Sequence, residues 1–240
     1  MMIRFLIVLL AFPLLSNPYQ KKLITLPINS DISILYTGDY KIGEIDINLM
    51  SKEWWGVFED NKQSYIKKVE IKLEKIEPDI QNDWEYRVSV ENEKNCIFLV
   101  TGLNLSDKTF NHFTTQDVIM DSEVFSFEFG PYHTFISSEI ESLNFIGDVP
   151  RTDYSVFLNY ERQDILKTQE LFIFPTYDSS LYLSLLWAGD LDNDGKTDFL
   201  INIPTPPNNE LGFSSGLFLS SKTESNELVK LVAFHIQRSC

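Results

Sequence analysis

The stretch LYLSLLWAGDLDNDGKTDFLINI, residues 181–203, decides how this chain is read. An apolar segment ends in Trp187-Ala188-Gly189, an acidic loop follows, and Phe199-Leu200-Ile201-Asn202-Ile203 resumes the apolar pattern. That second segment is short and β-branched, and Pro204, Pro206 and Pro207 close it. Such residues favour a strand, and proline ends it by removing backbone donors. The loop carries Asp190, Asp192, Asp194 and Asp198, four carboxylates within nine residues. Without a cation they repel one another. Counted from Asp190 they occupy positions 1, 3, 5 and 9 of a Ca²⁺ loop, with Gly195 at position 6, where the chain turns sharply. Lys196 at position 7 can offer its backbone carbonyl. Position 12 is Ile201, where an EF-hand places a bidentate Glu, so the expectation is a strand–loop–strand Ca²⁺ hairpin.

These residues resemble the FG-GAP/VCBS repeat, whose GDLDNDGKTDFLI-like strand–loop–strand carries Ca²⁺ in integrin-type propellers and many secreted bacterial proteins. The likeness covers about residues 186–203, and the order of the later GLFLSS and ELVKLVAF segments is similar to the end of uncharacterised secreted bacterial proteins. The resemblance implies side-chain ligands at Asp190, Asp192, Asp194 and Asp198, with Lys196 contributing its carbonyl. The chain departs from the family in copy number. A propeller needs several blades, and one copy occurs here.

Outward from the loop, strand signals dominate. Tyr65, Lys67, Val69, Ile71 and Leu73 alternate with Ile66, Lys68, Glu70 and Lys72, the period of two of a half-buried strand. Trp54-Trp55-Gly56-Val57-Phe58 precedes it across the polar residues 59–63, which predicts a hairpin. Trp84, Tyr86, Val88 and Val90 alternate in the same way, and the polar residues 91–95 predict a second hairpin into Cys96-Ile97-Phe98-Leu99-Val100. Residues 124–129 and 133–136 flank the turn dipeptide Gly130-Pro131, and 156–160 and 171–174 continue the pattern. Residues 228–234 fit either a strand or a helix. The expected fold is all-β and mainly antiparallel, a sandwich or barrel-like sheets. A boundary at 147–150 would divide residues 17–146 from 151–240, and one continuous β domain fits equally well.

The first twenty residues read as an export signal. Arg4 supplies the positive charge, residues 5–15 the apolar core, and Ser16 a small residue at the cut. Removing residues 1–16 leaves 240 − 16 = 224 residues. The apolar run is shorter than the ~20 residues that span a bilayer, and no later stretch reaches that length. The expected location is therefore secreted or periplasmic, without membrane anchoring. A hydrophobic content of 43% with 13% aromatic residues indicates a folded chain. The net charge of −15 repels nucleic-acid phosphates, which excludes nucleic acid and leaves a protein or glycan ligand. Cys96 and Cys240 are the two cysteines. In an oxidising compartment they are expected to pair, the alternative being a buried Cys96 thiol.

Other motifs carry less. Gly212-Phe213-Ser214-Ser215-Gly216 matches the G-x-S-x-G nucleophile elbow, but the following Leu217-Phe218-Leu219 reads as a strand where the elbow needs a helix. A glycine-containing turn between strands is expected instead. His112, His133 and His235 lack metal-ligand spacing. Trp54 and Trp55 could stack on sugars, yet strand alternation sends at least one of them inward. The expected function is a secreted, calcium-binding β protein of structural or binding type. A carbohydrate-binding module and a secreted hydrolase are the alternatives, and the exposure of Trp54, Trp55, Trp84 and Trp187 separates them.

Overall fold

A computed structural model describes residues 31–41, 43–60, 63–77, 84–91, 93–111, 118–119, 124–129, 132–146, 149–174, 183–203 and 213–237. The export signal, His112 and Cys240 lie outside these residues. In chain order the strands are β1 (Ser33–Leu35), β2 (Gly38–Lys41), β3 (Trp54–Asp60), β4 (Gln63–Val69), β5 (Lys72–Lys75) and β6 (Trp84–Ser89). Next come β7 (Cys96–Thr101), β8 (Lys108–Asn111), β9 (Val118–Ile119), β10 (Val124–Phe129), β11 (Tyr132–Ile146) and β12 (Val149–Arg162). The last five are β13 (Ile165–Phe174), β14 (Leu183–Gly189), β15 (Asp198–Ile203), β16 (Phe213–Leu219) and β17 (Lys230–Gln237). Among the described residues the only helical segments are two 3₁₀ turns, Ile47–Ser51 and Glu93–Asn95. No helix of the described residues is long and apolar enough to cross a membrane.

The strands form four antiparallel sheets, ordered β2-β6-β5, β1-β7-β3-β4-β8, β17-β16-β15-β14-β9 and β10-β11-β12-β13. Three cores join them in that order. Tyr40, Trp54, Phe58, Val88 and Leu99 fill the first, between the β2 and β3 sheets. Trp55, Val57, Ile66, Phe98, Trp187, Leu200 and Leu217 fill the second, between the β3 and β15 sheets. Ile136, Tyr154, Val156, Phe172, Leu185, Phe199 and Phe218 fill the third, against the β12 sheet. The architecture is a layered β-sandwich in which the two middle sheets bury both faces. Apolar area on both sides of a sheet is the main stabilising term here.

This burial corrects several readings of the sequence. Residues 65–73 do not make one half-buried strand. β4 packs Ile66 into the second core and Tyr65 and Val69 against the first, and β5 then joins another sheet. The expected hairpin between 84–90 and 96–100 does not form either. β6 pairs with β2 and β5, while β7 pairs with β1 and β3. The Glu93–Asn95 turn carries the chain from one layer to the next, because β6 and β7 belong to different sheets. Residues 230–237 are strand β17, which settles the ambiguous tail. Trp54 and Trp55 are both buried, on opposite faces of β3. The β3–β4 and β10–β11 hairpins form as expected. β11 and β12 pair with each other along their length, with Ile146 opposite Val149.

Candidate metal centre

β14 and β15 are antiparallel neighbours, and Gly189 opposite Asp198 closes the 190–198 loop. Leu191, buried in the second core, anchors it. Asn193 (φ 67°) and Gly195 (φ 83°) adopt left-handed backbone, a conformation that glycine and asparagine reach at least cost. Space around Gly195 is open, so its torsion and not its size explains the glycine.

The carboxylates organise this turn. Asp190 Oδ1 accepts from the Asp194 N–H at 3.0 Å, and its Oδ2 from the Gly195 N–H at 3.1 Å. Asp194 Oδ1 accepts from the Lys196 N–H at 2.8 Å. Asp192 Oδ2 accepts from the Ser221 hydroxyl, and its Oδ1 is buried with no hydrogen-bond partner. Asp190, Asp192 and Asp194 each present an oxygen, and these oxygens lie within 4.8 Å of one another. Ligands about 2.4 Å from a calcium ion sit at most ~5 Å apart, so this spacing suits one hard cation. The donor set is all oxygen, and the orphaned Asp192 Oδ1 supplies an acceptor with unmet demand. The three residues fit a metal ion.

Asp198 is placed differently. It is fully buried, its Oδ2 accepting from the Leu191 N–H at 2.7 Å and its Oδ1 from the Ser220 N–H at 2.8 Å. The Ser220 hydroxyl lies 2.9 Å from Asp198 Oδ1 and 3.0 Å from both Asp194 oxygens, yet has one proton to donate. Burial, then the charge of Asp192, pushes the Asp198 carboxyl up to about 8. Burial likewise raises Asp190, against the opposing Gly195 N–H. Structure thus gathers Asp190, Asp192 and Asp194 at one point, and fastens Asp198 to the backbone beside them.

Two cations border the loop. Lys108, on β8, donates from Nζ to the Asp190 carbonyl at 2.8 Å, and desolvation lowers its pKa against the pull of the four aspartates. Lys196 Nζ is 3.9 Å from Asp194 Oδ2. Tyr160, on β12, donates its hydroxyl to the Thr197 carbonyl at 3.0 Å. Lys108, Tyr160, Ser220 and Ser221 escape the sequence reading because each is more than twenty residues from its partner in the loop. The only hint was the GLFLSS segment itself, whose two serines close it.

The other singled-out residues are structural in setting. Ser214 is buried inside β16, which runs on to Leu219 and is followed by strand β17, so G-x-S-x-G is neither an elbow nor the expected turn. Gly216 lies within β16, where a Cβ would stand 2.8 Å from Leu231 Cδ1. Trp54, Trp55 and Trp187 are all buried. Cys96 is half-buried, and burial pushes its thiol up to about 12. No family model, curated protein or solved structure matches this chain, so the assignment of the loop rests on its residues and their geometry.

Proposed function

We propose that this is an exported β protein of structural or binding type, whose 190–198 loop holds Ca²⁺ and is stabilised by it. The observation that carries the reading is the convergence of Asp190, Asp192 and Asp194 oxygens within 4.8 Å. The likeness of the loop to FG-GAP/VCBS repeats supports calcium, and its all-oxygen donor set suits a hard cation over a soft one. Lys196 offers its carbonyl and Asp198 its negative charge to the same ion. A bound divalent cation favours the ionised carboxylates that crowding disfavours. Burial of Trp54, Trp55 and Trp187 removes three candidate sugar-stacking faces, so a binding role for the outer surface is the better reading than a tryptophan platform.

Affinity in this reading is modest, because no bidentate Glu completes the loop. Extracellular modules bind with dissociation constants of about 10⁻⁴–10⁻³ M. At ~1 mM Ca²⁺ and ~0.1 mM affinity, linkage contributes about 1.4 kcal/mol. The test is a pair of thermal melts of the protein, with calcium and with chelator, alongside titration calorimetry. A rise of a few degrees with calcium is expected. Identical melts, with no heat of binding at millimolar calcium, would reject the reading.

A further inference from the structure

Where β17 runs beside β1, an imidazole is buried between two phenol rings. The ring of His235 lies 5.7 Å from that of Tyr36 and 5.7 Å from that of Tyr40, tilted against the first and edge-on to the second. His235 is 7% exposed, and its Nε2 is buried without a hydrogen-bond partner. Tyr40 cannot supply a proton to it, because its hydroxyl donates to the Tyr36 carbonyl at 2.7 Å. The same oxygen accepts from the Tyr36 N–H at 2.9 Å, so residues 36–40 form a closed loop around the imidazole's seat.

We propose that His235 is an acid-operated latch, whose protonation breaks its seat between Tyr36 and Tyr40 and releases residues 33–41 from β17. An imidazolium in this position sits in low dielectric, and the Tyr36 ring that faces it offers a neutral hydroxyl rather than a carboxylate. The groups that face it are Tyr36, Tyr40 and Glu44 from the N-terminal segment and Ser215, its partner across β16. Burial pushes the Tyr36 hydroxyl up to about 12 and raises Tyr40 as well, so neither phenol ionises to pair with the ring. Glu44 alone favours the charged form, and its carboxylate already accepts from the Lys41 N–H at 2.7 Å.

The segment that would leave is anchored in the cores by Ile34, Leu35 and Tyr40, but its backbone is tied by single ladders. β1 is the edge of its sheet and pairs only with β7, through three residues. β2 is the edge of its own sheet and pairs only with β6. Each therefore parts from a single ladder, and what else holds the segment is the packing that includes the imidazole.

The direction with pH follows from linkage. Burial first, against the field of Glu44, holds the imidazole at about 4 in the closed state, below its ordinary value of about 6.5. The closed state is therefore favoured above pH ~6.5 and loses that advantage as pH falls from ~6.5 towards ~4. At pH 5.0 the opening equilibrium should rise about 30-fold over pH 7.5. Ordinary carboxylates are still ionised there.

Hydrogen exchange by mass spectrometry on the full chain, corrected for the intrinsic pH dependence, reads this out. Peptides within 33–41 should lose about 30-fold protection between pH 7.5 and 5.0, while peptides of 154–159 on β12, which contain no Asp, Glu or His, keep theirs. His235→Phe should abolish the difference, and His235→Gln serves if the larger ring prevents folding. Equal protection of 33–41 at both pH values, or the same loss in the variant, overturns the latch. Proton NMR of the wild-type imidazole decides independently of any variant. Titration well below pH 6 supports the latch, and titration near 6.5 rejects it.

Discussion

The indole N–H of Trp187 donates to the Ser64 hydroxyl at 2.9 Å, joining β14 to β4 across the second core. The two residues stand 123 positions apart in the chain. Phe98 meets the same indole edge-on, with ring centres 5.5 Å apart. A bulge between Leu185 and Trp187 turns Leu186 and Trp187 toward this core together. The tryptophan that introduces the acidic loop is thereby a bolt between sheets.

Ser64→Ala leaves that buried N–H without an acceptor, and should cost about 1–3 kcal/mol. In a Trp187→Phe background the donor is already gone, so the same change should cost much less. Urea denaturation of the four proteins forms a double-mutant cycle. Additive losses would mean that the hydrogen bond contributes nothing.

Asp192 and Asp198 should separate under substitution. Asp198→Ala removes the acceptor of the Leu191 and Ser220 N–H groups, and is expected to destabilise by about 2–4 kcal/mol in chelator alone. Asp192→Asn relieves repulsion, so its stability in chelator should match or exceed the parent's. Its response to calcium should vanish. Melts of each variant in calcium and in chelator give both quantities, and an intact calcium shift in Asp192→Asn would remove Asp192 from the ligand set.

The G-x-S-x-G segment should behave as strand. Ser214→Ala deletes a buried hydroxyl that has no partner, so its stability should stay within about 0.5 kcal/mol of the parent or rise. Gly216→Ala drives a methyl to 2.8 Å from Leu231 Cδ1 and 3.0 Å from Ile203 Cδ1, side-chain ends that must shift, at an expected cost of about 1 kcal/mol. Thermal melts of the two variants should differ accordingly. The opposite order would contradict the packing around β16.

Cysteine state tests the export reading. If Cys96 pairs with Cys240 in the exported protein, thiol titration under denaturing, non-reducing conditions finds no thiol. The chain-entropy model assigns a loop of this length about 4–5 kcal/mol before strain. Two reactive thiols in the exported protein would reject the bridge.

What the sequence displayed was local. The strand–loop–strand at 183–203 shows in the composition of 181–203, since adjacent residues make both the hairpin and the turn. The β10–β11 hairpin was equally plain around Gly130-Pro131. Failures came where layers meet. Val88 and Phe98 look alike in sequence, and nothing local says that they face different cores. The alternation of 65–73 misled because Ile66 sits on the charged side of the pattern yet is buried in the second core. The neighbouring Lys68 reaches past this layer to pair with Glu53 at the surface. At the metal centre, the aspartates were visible because their spacing is intrinsic to the loop. Lys108, Tyr160 and Ser220 were not, because tertiary contact alone brings them there.

Burial of both Trp54 and Trp55 leaves β3 without the polarity that ordinarily tells a strand which residues face water. Sliding it by one position would exchange one large apolar face for another, and would draw the exposed Glu59 toward the place of buried Phe58. Pairing offset is then marked at the acidic end of the strand. At Gly56 a Cβ would fall 2.4 Å from the Phe58 ring of the same strand and 3.2 Å from Val69 Cγ1 of β4, so a larger residue there must move that ring. Enlarging Gly56 should therefore disturb the seat of Phe58 in the first core, and the fit of β3 against β4, before it exposes the strand.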